Sequence, residues 1–410
     1  MYLKLLLNQK KYTNSNLLKF LFGFMAVMVF TLTSCGDDDV NTTGNKVDYD
    51  LEERGDSGVS GDIEFVELED GRLQIEISLS GTESGNTHPA HIHMNSAALG
   101  GDIIVSLDPV DGSTGSSVTI VDKLDNGDAF TYSMVDNLDA YVNVHLSSSE
   151  LGSVVAQGDM GSNAFTGDEK SYDLDERAVE GISGTVTFKK KKNGFTLAEI
   201  DLSGTPDGGM HPAHIHMNSF AEGGDILVSL NIVDGKSGES FTDIRANDAG
   251  EVLDYENILT LNGYVNVHLS ATQLGTVVAQ GDIGTNELTG ASESYDLDEK
   301  DVPGISGEIT FDERKDGTFL ATIDISGTPV DGMHPAHIHK NSAIEGGPIA
   351  VTFNPVNGNT GISRTSIRTL DDGTAFTYQL VKSYDGYVNV HFSADDLMTI
   401  VSQGNIGINN

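Results

Sequence analysis

The sequence predicts an all-β chain of three tandem domains, each an antiparallel β-sandwich or barrel. Two observations lead there. The first is a period: His91, His214 and His337 are 123 residues apart, as are Tyr49, Tyr172 and Tyr295, so three copies follow one another without net insertion or deletion. The second is the texture within each copy. About seven or eight short runs rich in Val, Ile, Thr and Phe are separated by glycine-containing turns, without one convincing amphipathic helix. A unit of this length can bury its own core, so the copies are expected to stand as separate beads and not to stack as a solenoid.

The chain opens with a leader. Lys4, Lys10, Lys11 and Lys19 form a basic segment, and Phe20 to Leu32 is an apolar run too short to span a bilayer comfortably. Leu32-Thr33-Ser34-Cys35 then resembles the lipobox of bacterial lipoproteins, which implies a lipid-modified Cys35 as the membrane anchor after removal of residues 1–35 as a signal peptide. Gly36 and Asp37-Asp38-Asp39 fit an outer-membrane lipoprotein of a Gram-negative cell facing the exterior. Residues 36–46 are expected to be an acidic flexible tether. The three units are expected at 47–167, 168–290 and 291–410.

Composition narrows the partners. The net charge is -39, and without the four leader lysines it becomes (23 - 4) - 62 = -43. Such a surface repels nucleic acid. It suits solubility, cations or a basic partner, and a solvated acidic exterior is the simplest account. Cys35 is the single cysteine, so no disulfide forms within the chain, and the absence of tryptophan removes a Trp sugar-stacking platform. An extracellular protein or a glycan remains as the class of partner.

Each unit starts with Tyr-Asp-Leu and acids (Tyr49 to Glu53, Tyr172 to Glu176, Tyr295 to Glu299), preceded by polar segments such as Gly161 to Lys170 that read as linkers or long turns. A hairpin follows, for example Ile182 to Phe188 and Phe195 to Leu202. Its turn is Glu67 to Gly71, Lys189 to Gly194 or Asp312 to Gly317. The sign of the charge changes between copies while the glycine does not, so the lysine run is expected to be a solvated hairpin tip. Then come the histidine motif, a Gly-Gly turn, and strands such as Asp225 to Leu230, Ala129 to Val135, Tyr264 to Leu269 and Thr276 to Gln280.

All twelve histidines fall in two motifs. His-Pro-Ala-His-Ile-His supplies His88, His91 and His93; His211, His214 and His216; His334, His337 and His339. Tyr-Val-Asn-Val-His supplies His145, His268 and His391. Strand residues alternate faces. In Tyr264 to Leu269 the aliphatic set Val265, Val267 and Leu269 marks the core, leaving Tyr264, Asn266 and His268 on the other side. The same rule puts His214 and His216 opposite Ala213 and Ile215, while His211 sits earlier, where Gly208-Gly209 and Pro212 let the chain bend. Lys340 stands where the other copies have Met94 and Met217, which places that position at an exposed strand end. Two imidazoles from one strand, with a third from another and a fourth nearby, make a candidate nitrogen-rich metal site suited to copper or zinc. The alternative is that His and Asn form hydrogen bonds that fix the loops around the sheet. Asn143, Asn266 and Asn389 and Gln157, Gln280 and Gln403 recur beside the histidines as candidate hydrogen-bond partners. Calcium is disfavoured, because Asp102 and Asp225 become Pro348, and Asp159 and Asp282 become Asn405.

No catalytic residue set emerges. There is no cysteine nucleophile in the mature chain, no Gly-x-Ser-x-Gly elbow and no phosphate-binding loop. A metal-dependent redox or hydrolytic activity is the one enzymatic route open. The disulfide and the bridging His and Asp of copper/zinc superoxide dismutase are missing.

His91-Ile92-His93, then Tyr141 to His145, then Gly152-Ser-Val-Val-Ala-Gln157, with their counterparts in the other copies, resemble the CHRD domain, a chordin-type module also found in exported bacterial proteins. The resemblance covers nearly all of each unit. The family's closing arginine is replaced by valine here, so no role of that residue carries over. The resemblance implies an all-β extracellular module. The expected function is non-enzymatic: a surface binding or structural protein with a candidate histidine metal site in each repeat.

Overall fold

The computed structural model describes residues 41–410. The leader, the lipobox with Cys35 and the acidic triplet lie outside the described residues. Thr42–Asn410 form one compact unit that is all-β apart from three one-turn helices, α1 (Tyr132–Val135), α2 (Tyr255–Leu259) and α3 (Tyr378–Val381).

The first domain is a closed eight-stranded antiparallel barrel. Its strands are β1 (Thr42–Glu53), β2 (Ser60–Leu68), β3 (Leu73–Ser80), β4 (Thr87–Met94), β5 (Ile103–Asp111), β6 (Ser116–Val121), β7 (Asp139–His145) and β8 (Val154–Gly161). They neighbour one another in the order β1-β2-β3-β6-β5-β4-β7-β8, and β8 returns to β1 through Glu52 and Glu53. The second domain repeats the strands as β9 (Phe165–Glu176), β10 (Ser183–Lys191), β11 (Thr196–Ser203), β12 (Met210–Met217), β13 (Ile226–Asp234), β14 (Glu239–Ile244), β15 (Asn262–His268) and β16 (Val277–Gly284), in one eight-stranded sheet with the same neighbours except that β13 and β14 are its two edges. The third domain is a ten-stranded sheet, because two of its strands are each split in two. Alternation builds each core: Ile63 and Phe65 of β2, Ile75 and Ile77 of β3, Ala90 and Ile92 of β4, and Val142 and Val144 of β7 meet in one buried cluster.

The strand expected over Ala129 to Val135 is an isolated bridge at Ala129 followed by α1, because the chain turns there. Three expectations about other local segments are also corrected. The tether does not extend to Lys46: Thr42 to Lys46 belong to β1, paired with Leu68 and Val66 of β2. Much of Gly161 to Lys170 is likewise not linker, since β9 starts at Phe165 and pairs along β10. Both segments are polar because they are exposed on both sides, and backbone pairing asks nothing of side-chain polarity. The third correction concerns the lysine run. Lys190 and Lys192 are at the surface, but the Lys191 side chain is fully buried, its ammonium 2.6 Å from Asp243 and 3.0 Å from Asp159.

That ion pair joins two units, so the domains are not separate beads. Asp159 closes the first unit and Lys191 belongs to the second. The next junction repeats it, with the buried Arg314 guanidinium 2.7 Å from Asp282. A second bridge runs alongside. Arg245 makes a bidentate pair with Asp139, and Arg368 donates to Asn262 and Asn286. The pattern stops at both ends of the array: Leu68 stands where Lys191 and Arg314 do, and Asn405 where Asp159 and Asp282 do. Burial pushes the Asp159 carboxyl above its ordinary range against the pull of Lys191, and does the same to Asp282 against Arg314, to about 6. Desolvation thus consumes much of each Coulombic gain, and such pairs fix register more than they add stability.

Removing one partner of a buried pair is costly in a way that removing an exposed one is not. Lys191→Met should lower stability by about 3–5 kcal/mol, read as a fall in the urea midpoint, because buried Asp159 loses its counter-ion and Asp243 keeps only Arg245. Lys192→Met, whose contact to Asp136 is exposed, should leave the midpoint almost unmoved. Equal effects would contradict the buried junction.

Candidate metal centre

Strands β4 and β7 lie side by side, with Ala90 opposite Val144, His91 opposite Asn143 and His93 opposite Tyr141. Since Ala90, Ile92, Val142 and Val144 point into the core, His91, His93, Tyr141, Asn143 and His145 share the outer face of the wall. The expectation from alternation holds, yet this face is not open: Tyr141, Asn143, His93 and His145 are all buried. The pairing of β4 with β5 is irregular at Ile92/His93, and that of β7 with β8 at Val144/His145. A bulge re-aims the side chain beside it, and here one sits at two of the three histidines.

The result is a triad. One ring nitrogen from each of His91, His93 and His145 lies within 4.8 Å of the other two, and His214, His216 and His268 and His337, His339 and His391 repeat the arrangement. The His91 and His145 rings are 5.1 Å apart. His93 stacks on Tyr141 at 4.9 Å and 19° from parallel, and the same stack holds His216 on Tyr264 and His339 on Tyr387. Each triad could bind a metal ion.

Hydrogen bonds fix the tautomer of the middle histidine. His93 Nδ1 is 3.0 Å from the Gly101 carbonyl, and the counterparts are His216 to Gly224 at 3.0 Å and His339 to Gly347 at 2.9 Å. A carbonyl only accepts, so Nδ1 carries the proton and Nε2 keeps its lone pair. Those three Nε2 atoms are buried without a partner, as are the Nδ1 atoms of His91, His214 and His337. Buried lone pairs left unmatched cost free energy. A ring that donates to a carbonyl while its other nitrogen stays free is how metal-binding histidines are usually oriented. The Gly101 carbonyl reaches His93 because the chain turns tightly there. Asn95 and Gly100 have positive φ, and a Cβ on Gly101 would meet the Met94 carbonyl oxygen at 2.1 Å.

Electrostatics favour the neutral form of two histidines in each triad. Burial, and then the neighbouring imidazoles, hold His91, His214 and His337 below the ordinary histidine range, His337 down to about 4. Burial also lowers His145, His268 and His391, against backbone carbonyls at Leu151, Leu274 and Leu397 that favour the proton. A neutral imidazole is the form that ligates.

The fourth histidine of each copy does not join. His88, His211 and His334 are buried at the start of the motif, and each donates from Nδ1 to the carbonyl of the last triad histidine, His145, His268 or His391, at 3.1, 3.1 and 3.3 Å. They lie on the core side of the strand, in phase with Ala90 and Ile92. In the second and third units a Cβ on Gly209 or Gly332 would crowd their Nε2 atoms at 2.4 and 2.6 Å. Loop-fixing by hydrogen bonds therefore describes these three histidines, and ligand geometry describes the other nine. Gln157 donates to Asn143 at 2.7 Å, Gln280 to Asn266 at 2.6 Å and Gln403 to Asn389 at 2.8 Å, which pins the polar face of β7 and its copies. Met94, Met217 and Lys340 are exposed, as expected.

One group went unread in the sequence. The Asp125, Asp248 and Asp371 carboxylates favour the protonated form of His91, His214 and His337, and they are held by Ser106, Ser229 and Thr352. Their recurrence at the 123-residue period was the available signal. No family model, no curated protein and no solved structure matches this chain.

The depressed histidines set a pH dependence. The unfolded chain takes up protons near the ordinary 6.5, whereas folded His337 does so only near about 4, so protons favour the unfolded state across that window. Stability present above about 6.5 should be lost as the pH falls toward about 4. The thermal midpoint of the metal-free chain should drop over this range, and less steeply in His337→Gln. Parallel curves would contradict the assignment.

Proposed function

We propose that this chain is an exported, lipid-anchored surface protein of three CHRD-like domains, each holding one copper or zinc ion on three histidines, and that it acts as a binding module without catalysis. One observation carries the metal reading: in all three units the same three imidazoles converge, with Nε2 of the middle one orphaned, buried and fixed in tautomer by a backbone carbonyl. Three nitrogen donors suit copper and zinc. The acidic exterior would raise the local cation concentration. The CHRD assignment rests on the two histidine motifs, and the lipid anchor on Leu32 to Cys35. An outer-membrane position facing the exterior rests on the residues after that cysteine.

Three protein ligands leave a coordination position free, whereas purely structural zinc sites are closed by four. In a binding module that position would take a donor from an external protein or glycan, and three copies along one chain would add avidity. The same vacancy favours a second reading, metal-dependent redox or hydrolytic activity. Asp125 and its counterparts would then be acidic groups whose charge is felt by the first histidine of each triad.

Metal titration of residues 41–410, without a chelating tag, tests the reading. Three equivalents of zinc or copper should bind, and His214→Ala/His216→Ala should bind two while keeping its circular dichroism. Absence of binding at micromolar metal would overturn the metal site. Equal stoichiometry in the variant would assign the binding to acidic surface groups.

A further inference from the structure

The loop that orients each triad is fastened from two directions, and one of them belongs to the next domain. In the first unit the loop runs from Asn95 to Gly101. Its Gly101 carbonyl holds His93. Its Ala97 amide donates to Asp159 at 2.7 Å. The other Asp159 oxygen takes the buried Lys191 ammonium of the second unit. The Asn95 carbonyl accepts from Asn163, whose own oxygen accepts from Arg245 and Asn193 of the second unit.

The second unit repeats this with its successor. The Phe220 amide donates to Asp282, which pairs with Arg314. The Asn218 carbonyl accepts from Asn286, which accepts from Arg368. Glu222 of the same loop lies 3.6 Å from Arg368. Among the described residues no unit is packed against the third one in this way. Its Ala343 amide is held by neutral Asn405, and Asn409 keeps the bonds to Asp385 and Gly386 that Asn286 makes to Asn262 and Gly263, without the further bond to the loop carbonyl at Asn341.

We propose that each domain acts as a clamp on the metal site of the domain before it, with Lys191 and Arg314 as positioning residues, so that the three sites are unequal and the third binds most weakly. This rests on the triads being metal sites. The clamp acts through the carbonyl that orients the middle histidine, and loss of such orienting partners costs about 10–100-fold in affinity. The clamped sites should therefore bind about tenfold tighter than the third.

The test isolates one site at a time in the chain of residues 41–410. Paired His→Ala changes at two triads, chosen among His91, His214 and His337, leave one intact, and zinc affinity is measured for each. Sites one and two should agree within about twofold, and site three should be about tenfold weaker. Asp282→Asn with Arg314→Leu then places at the second junction the residues that Asn405 and Leu68 supply at the ends of the array. In the chain that retains only the second site, this should lower affinity to that of the third. Arg314→Lys, which copies Lys191, should retain it. In the chain that retains only the first site, the same changes should do nothing. Three equal affinities, or a second site indifferent to the junction change, would overturn the clamp while leaving the metal reading intact. Absence of zinc binding in every single-site chain would instead overturn the metal reading on which the clamp depends.

Discussion

The register between β4 and β7 is the constraint on which the site depends. With His91 opposite Asn143 and His93 opposite Tyr141, His145 falls diagonally across from His91, and the three imidazoles meet. A slip of one residue would turn every side chain of the strand to the other face, sending the histidines into the core and the valines out. The aliphatic residues of the same two strands prevent it, because Ala90, Ile92, Val142 and Val144 have one low-energy place to go. The site is thus held by the barrel core as firmly as by its own hydrogen bonds.

Burial then decides the chemistry. Three imidazoles that each bring a ring nitrogen within 4.8 Å of the other two could not all be protonated without strong repulsion, and removal from water penalises the charged form further. What remains is a pocket of ring nitrogens with few internal partners. The stacked tyrosine and the glycine carbonyl limit how the middle ring can turn. The molecule spends buried charge elsewhere, at the junctions, where Lys191 and Arg314 each reach across to an aspartate of the preceding unit. The charge that is absent from the histidine pockets is concentrated where domains must meet in one arrangement.

Much of this was legible in the residues, and what was missed has physical reasons. The period and the short strands give the all-β tandem plan, and alternation along Tyr264 to Leu269 and Ala213 to Met217 separates histidines from core. His211 reads with the triad in the sequence because Gly208-Gly209 and Pro212 suggest that the chain bends there, whereas it stays in phase with Ala213 and so falls on the core side. Lys191 could not be told from Lys190 and Lys192, since a run of like residues hides the one that points inward. Its partner Asp159 belongs to a different unit. Thr42 to Lys46 and Phe165 to Lys170 looked like linkers because their side chains face water on both sides while their backbones complete a sheet. The Asp125 series was visible as a repeat, but its meaning depends on a fold that brings Ser106 beside it.

The most direct measurement is an anomalous-scattering map of crystals of residues 41–410 equilibrated with zinc. Three peaks are expected, one per domain, each about 2.0–2.1 Å from a ring nitrogen of all three triad histidines, with His88, His211 and His334 still bonded to their carbonyls. Peaks only at surface carboxylates, or metal engaging His88 and its counterparts in place of the triads, would contradict the assignment.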